Sequence, residues 1–175
     1  SFEKIVDFLS KGYNLIRVYY YSGMPTKATW NKNRETLDEF QSRVRKQINF
    51  LDKLALDFNF HIITRPLVLD KGQIKEKGID VWIAIDMVKE AINENIDCAV
   101  LISGDADFIP VMEIIKKAGY EVIVCSSKTG FSNELRQGKF RYLILNKEDK
   151  RLVNLEKSFL EKELQKYKLV ITFNG

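Results

Sequence analysis

The stretch Cys98–Val124, CAVLISGDADFIPVMEIIKKAGYEVIV, constrains this chain more than any other. Cys98 to Ile102 is a short apolar run, the composition of a strand buried on both faces in a parallel sheet. It stops at Ser103, Gly104, Asp105, Ala106 and Asp107. A helical period follows, with Phe108, Val111, Met112, Ile114, Ile115 and Ala118 on the apolar side. Gly119 ends that helix, and Tyr120 to Cys125 read as a second apolar strand. Strand, turn, helix and strand together make one right-handed crossover. The turn sets two carboxylates two residues apart at the strand's C-terminal end, the edge where ligands bind in open parallel sheets.

The 175 residues allow one sizeable domain with a small appendage. A content of 45% hydrophobic and 30% charged residues is that of a soluble globular protein. No apolar run reaches the roughly eighteen residues of a membrane span, and the opening SFEKIVDFLSKG carries charges inside its apolar pattern, unlike a signal peptide. Cys98 and Cys125 both fall in expected core strands and read as buried thiols of a reducing, cytoplasmic setting. With His61 as the only histidine, a His-rich metal site or a His-based triad is nearly excluded. The net charge of +4 permits an anionic partner without demanding one.

Taken in order, Phe2, Ile5, Val6 and Leu9 repeat at helical spacing, and Gly12 is a stop signal. Leu15–Tyr21 is β-branched and aromatic and reads as a strand, with Tyr19, Tyr20 and Tyr21 alternating faces. Trp30 is expected to be exposed among Lys27, Lys32 and Arg34. A helix is expected from about Arg34 to Asp57, its outer face carrying Arg43, Arg45, Lys46 and Lys53: a solvated face, or one turned to nucleic acid. Phe58–Pro66 is a third strand, and residues 67–78 suit a short hairpin. From Ile79 to Asn93 apolar residues occupy almost the whole helical circumference, which predicts a helix buried on most sides. Asp80 is in its first turn, and Asp86 lies mid-helix. After the crossover come a polar loop, a short helix over Asn133–Gln137 and a strand over Phe140–Leu145. Residues 147–166 read as a charged helix. Tyr167–Phe173 is one more strand without an obvious partner: an edge strand, a contact in a homo-oligomer, a chain end, or, as in a circular permutation, the filler of a central slot.

Asp80, Asp105 and Asp107 are the candidate site. Clustered carboxylates without His or Cys suit hard, oxygen-preferring cations, Mg²⁺ or Mn²⁺, and such an ion can activate water beside a phosphoryl group. Helix capping is the competing reading: one of Asp105 and Asp107 can cap the helix that begins near Ile109, and Asp80 can cap its own. An Asp-x-Asp turn also occurs in phosphatases that use an Asp nucleophile.

SGDADFIPVMEIIKKAGYEVIV resembles the signature of the NYN domain, a branch of the PIN-like nuclease superfamily, and is nearest to its LabA-like (DUF88) group. RVYYYSG, KEKGIDVWIAIDMV and SNELRQGKFRYL resemble further stretches of that family in the right order, so the similarity spans about residues 1–146. The resemblance implies an α/β fold, a PIN-like three-layer sandwich around a central, mostly parallel sheet, with residues 147–175 as a C-terminal helix and strand extension. It also implies hydrolysis of RNA by a metal-dependent ribonuclease. Asp80, Asp105 and Asp107 would be its catalytic and metal-binding carboxylates, with Ser103 of the same motif at the substrate. Lys128 and Asn133 are substrate-binding candidates by position, since both are expected at the same sheet edge. Asp86 matches a common family acid. The family's opening strand, which ends in Ile-Asp-Gly-x-Asn and supplies a further Asp ligand, has no counterpart motif in these residues, and Lys139 stands where the family often has an acid. The alternative expectation is therefore an NYN-fold module that binds RNA or regulates without cutting.

Overall fold

The computed structural model describes residues 2–93, 96–137, 140–145 and 168–174. The elements are α1 (Phe2–Leu9), β1 (Asn14–Met24), α2 (Leu37–Phe58), β2 (His61–Pro66), β3 (Val68–Asp70), β4 (Gln73–Lys75), α3 (Ile79–Ile92), β5 (Cys98–Ile102), α4 (Ile109–Lys117), β6 (Glu121–Ser127), α5 (Asn133–Gln137), β7 (Arg141–Leu145) and β8 (Lys168–Asn174). Six strands form one sheet in the order β2-β1-β8-β5-β6-β7, and every neighbouring pair is parallel. β3 and β4 make a separate antiparallel hairpin.

Side-chain alternation along the strands divides the core in two. Tyr19, Tyr21, Ala99, Leu101, Val122, Val124 and Val170 pack against α3, α4 and α5. Val18, Tyr20, Val100, Ile123, Cys125, Leu169, Ile171 and Phe173 lie on the opposite face, where α1 and α2 pack. The two faces follow from connection direction. The path through α2 steps from β1 toward one sheet edge, whereas those through α3, α4 and α5 step toward the other. Connections of one hand that run in opposite directions place their helices on opposite faces. The result is the expected three-layer α/β sandwich.

Several local expectations are met for identifiable reasons. Thr36 and Glu39 form a reciprocal capping box at the start of α2. Cys98 and Cys125 are buried and unpaired. Three expectations need correction. Trp30 is half-buried, with its ring against Phe40 and its indole N–H donating to the Glu35 carbonyl. α3 is not buried all round: Ile79, Ile83, Met87 and Ala91 form its buried stripe, while Val81, Trp82, Ile85 and Ile92 are exposed. One face of a single sheet is all that α3 has to lie on, and that face takes only one stripe. The last strand is neither an edge nor an extension. β8 pairs with β1 on one side and β5 on the other, and Leu169 to Phe173 are all buried. Residues 168–174 thus belong to the same sheet as residues 14–145. The helix expected over 147–166 lies outside the described residues.

Candidate functional site

The C-terminal ends of β8 and β5 and the start of α3 meet at one edge of the sheet. Beyond Ile102 the chain turns sharply, held by its own polar side chains. Ser103 Oγ accepts from the Asp105 N–H at 3.3 Å, and Asp105 Oδ1 accepts from the Asp107 N–H at 2.9 Å. Asp105 therefore caps the short 3-10 turn Ala106–Phe108 that leads into α4. Asp107 caps nothing and is exposed. The expected cap on the helix beginning near Ile109 is not made: α4 has Phe108 as N-cap with no side-chain cap, and Asp105 caps only the 3-10 turn before it.

Gly104 makes the turn possible. A Cβ there would lie 1.6 Å from the Gly130 carbonyl oxygen, and the Ser132 N–H donates to the Gly104 carbonyl at 3.0 Å. The loop after β6 is thereby laid directly on the acid turn, which brings the start of α5, and with it Asn133, to the same edge. Lys128 lies in that loop, exposed, and its carbonyl accepts from Arg136 Nη2 at 2.6 Å.

Asp80 enters from α3. It is not the cap of that helix: Gly78, in the left-handed region at φ 80°, is the N-cap, and no side chain caps the end. The Asp80 carboxyl titrates above the ordinary range, first because burial disfavours its charge, and then because Asp105 and Asp107 repel it; Asn174 pulls the other way. The three sequence-predicted carboxylates thus share one electrostatic neighbourhood. Asn174, the last described residue of β8, donates from Nδ2 to Asp80 Oδ1 at a long 3.4 Å. Alternation from Val170 places it on the α3 face. An amide, not a carboxylate, meets Asp80 from the central strand.

Asp86 is engaged elsewhere, accepting from the Tyr21 hydroxyl at 2.6 Å. Burial, then that hydrogen bond, raises the Tyr21 pKa. Tyr19, Tyr20 and Tyr21 are all buried, so none offers an outward ring. His61 is exposed on β2 beside Tyr19. A groove of about 840 Å³ opens between α3 and α4, with Asp80 and Asp107 at one end and Val81, Ile85 and Ile114 along its walls.

Asp80, Asp105 and Asp107 offer only oxygen ligands, which fits a hard divalent cation in kind. Their placement is looser than a closed site: among the described residues, no group of three or more His, Cys, Asp and Glu is drawn together tightly enough to hold one ion. No described helix is long and apolar enough to cross a membrane.

A parallel three-layer sandwich with acids at its C-terminal edge is consistent with a PIN-like domain. The chain belongs to the NYN domain family, whose model matches residues 1–146, and that family is nuclease-like in general. An uncharacterised protein of Methanocaldococcus jannaschii is 32% identical over 137 residues, 77% of this chain and 52% of its own length, so the chain spans about half of that relative. A crystal structure of a protein of unknown function from Vibrio parahaemolyticus is similar with a TM-score of 0.56 at 18% identity, covering 84% of this chain and 79% of that one. That likeness is one of fold alone.

Proposed function

We propose that this domain is a divalent-metal-dependent ribonuclease of the LabA-like kind, acting on RNA phosphodiesters in the cytoplasm. The observation that carries the reading is the placement of Asp80, at the start of α3, and of Asp105 and Asp107, beyond β5, at one C-terminal sheet edge, with Asp80 and Asp107 at the end of one groove. The raised Asp80 carboxyl, disfavoured first by burial and then by Asp105 and Asp107, agrees with an edge where an incoming cation is welcome. Asp80, Asp105 and Asp107 would hold Mg²⁺ or Mn²⁺, and Asn174, which presents its amide N–H to Asp80, would add a neutral oxygen only with that amide turned over. When bound, the ion supplies an acidified water and a counter-charge for the phosphoryl oxygens. The chain's own part is positioning. Ser103 and Asp105 fix the turn, and Gly104 locks it to the loop after β6. Lys128, which forms no ion pair among the described residues, lies where a substrate phosphate can reach it, and Asn133 offers an amide.

Asp105→Asn combined with Asp107→Asn is expected to lower Mn²⁺-dependent RNA cleavage at least about a hundredfold. Unchanged cleavage by the folded double variant refutes the assignment. A second reading is favoured by Asn174 and by the open placement of the acids: the domain binds RNA and does not cut it. Calorimetric titration with Mn²⁺ separates the two, because a non-cutting module binds the ion weakly or not at all and shows no cleavage at saturating Mn²⁺.

A further inference from the structure

Arg65 is a cation with no ion-pair partner among the described residues, set beside the site. It lies in β2 on the α3 face, since Ile63, two residues earlier, packs into that layer. Its register partner in β1 is Gly23, and two residues back Tyr21 stands opposite Asn174 of β8. Arg65 therefore stands at the same C-terminal edge as the acids. Its guanidinium lies over the ring of Trp82, 3.9 Å from the centroid, a contact that combines stacking with cation–π attraction. Trp82 is in the first turn of α3, two residues after Asp80, and does not line the groove that Asp80 and Asp107 share. The start of α3 thus has acids toward α4 and a stacked arginine toward β2.

No carboxylate answers that arginine. Arg17, Arg43 and Arg141 each meet an acid. Arg65 forms no ion pair among the described residues, and its Nε is buried without a hydrogen-bond partner. The acids on this side are occupied: Glu76 accepts from the Gly23 N–H at 3.1 Å, and Asp86 accepts from the Tyr21 hydroxyl. Lys71 and Lys77, exposed on the hairpin and on the link into α3, also pair with no described acid. A half-buried charge with no ion pair among the described residues is costly until an anion arrives. The planar fork of a guanidinium matches the paired oxygens of a phosphate, and an aromatic platform holds that fork in one orientation.

We propose that Arg65, held flat by Trp82, binds a backbone phosphate of single-stranded RNA flanking the phosphate that lies at Asp80, Asp105 and Asp107. Arg65 touches substrate, and Trp82 is a positioning residue. This rests on the RNA reading above and adds a direction to it: the strand crosses the start of α3 from the α4 side to the β2 side.

The test measures binding of a short labelled single-stranded RNA to the full chain by fluorescence anisotropy, in EDTA so that cleavage plays no part, over a range of salt. Arg65→Gln is expected to weaken binding about tenfold and to flatten the slope of log K against log salt by about 0.7. Arg65→Lys is expected to recover the slope but not the full affinity, since a point charge replaces a stacked fork. In a Trp30→Phe background, Trp82 is the remaining one of the two tryptophans, and its emission is expected to change on adding RNA even if the Arg65 variants fold poorly. Folded Arg65→Gln that binds RNA with the parent affinity and slope, or a silent Trp82, overturns the proposal and leaves the RNA reading standing. Inorganic phosphate that shifts Trp82 emission as fully as RNA also overturns it, in favour of a free-anion site. A parent chain that binds no RNA in EDTA, and whose Asp105→Asn, Asp107→Asn form binds none with Mn²⁺ restored, removes both readings.

Discussion

At the scale of single residues, Asp80 ties the site to the stability of the fold. Its carboxyl holds a proton to higher pH when folded than when unfolded, because burial and then Asp105 and Asp107 disfavour its charge. Between the ordinary carboxyl value, about 3.9, and the raised folded one, the native chain binds more protons than the unfolded chain. Stability contributed by this group therefore falls as pH climbs through that window, and the penalty is complete at neutral pH. Asp80→Asn should raise the thermal midpoint at pH 7 by about 1 °C, a small gain because Asp80 is well exposed and solvent screens the repulsion. The gain should vanish at a pH below the ordinary carboxyl range. Thermal melts of both chains at the two pH values check this, and an equal gain at both points to some cause other than charge. Asp105, Asp107 and Asp80 were legible as candidates from their spacing and from the family resemblance. Arg65 with Trp82 was not, because a lone arginine in a short strand and a tryptophan in an apolar helix carry no local sign that they will stack. The available signal was weak: Arg65 falls on the inward period of β2, two residues after Ile63, where an unpaired charge is out of place.

At the scale of elements, β8 shows what periodicity can and cannot reveal. Its five consecutive buried residues, Leu169 to Phe173, are the pattern of a parallel strand covered on both faces. The apolar run was visible in the sequence, yet an edge strand stood among the expectations for it. Which slot the strand fills was not visible, because pairing with β1 and β5 joins residues far apart in the chain. α3 misled in the opposite way. Its apolar circumference suggested burial on most sides, but one sheet face accepts only Ile79, Ile83, Met87 and Ala91. The surplus, Val81, Ile85 and Trp82, lines the groove toward α4 or carries Arg65. Ile171, fully buried in the middle of β8, gives the placement an energetic test. In a central strand Ile171→Ala should cost about 2–5 kcal/mol by transfer and cavity terms together. On an appended edge strand it would cost well under half of that. Urea unfolding monitored by circular dichroism distinguishes the two.

At the scale of the whole molecule, the described ends of the chain meet inside the fold. Phe2 of α1 packs its ring against Phe173 of β8 at 5.3 Å and against Tyr20 of β1 at 5.5 Å. In spatial order the molecule therefore reads β8, α1, β1, with the acid-bearing edge completed by a strand that comes last in sequence. The family match over residues 1–146 ends before that strand, although the central slot between β1 and β5 is filled only by it. If the sheet is set by packing and not by the order of synthesis, moving the break should leave it intact. A permuted chain that begins at Lys168, joins the end of β8 to α1 by a short link and ends with residue 167 should fold to the same sheet. Its helical and strand content by circular dichroism should match the parent, and its thermal midpoint should lie within about 5 °C, since ends that are close in space tolerate rejoining. A permuted chain that stays unfolded would show that the covalent link from β7 to β8 is required to seat the central strand. In that case the arrangement of Asn174 against Asp80, and the candidate site with it, depends on that connection.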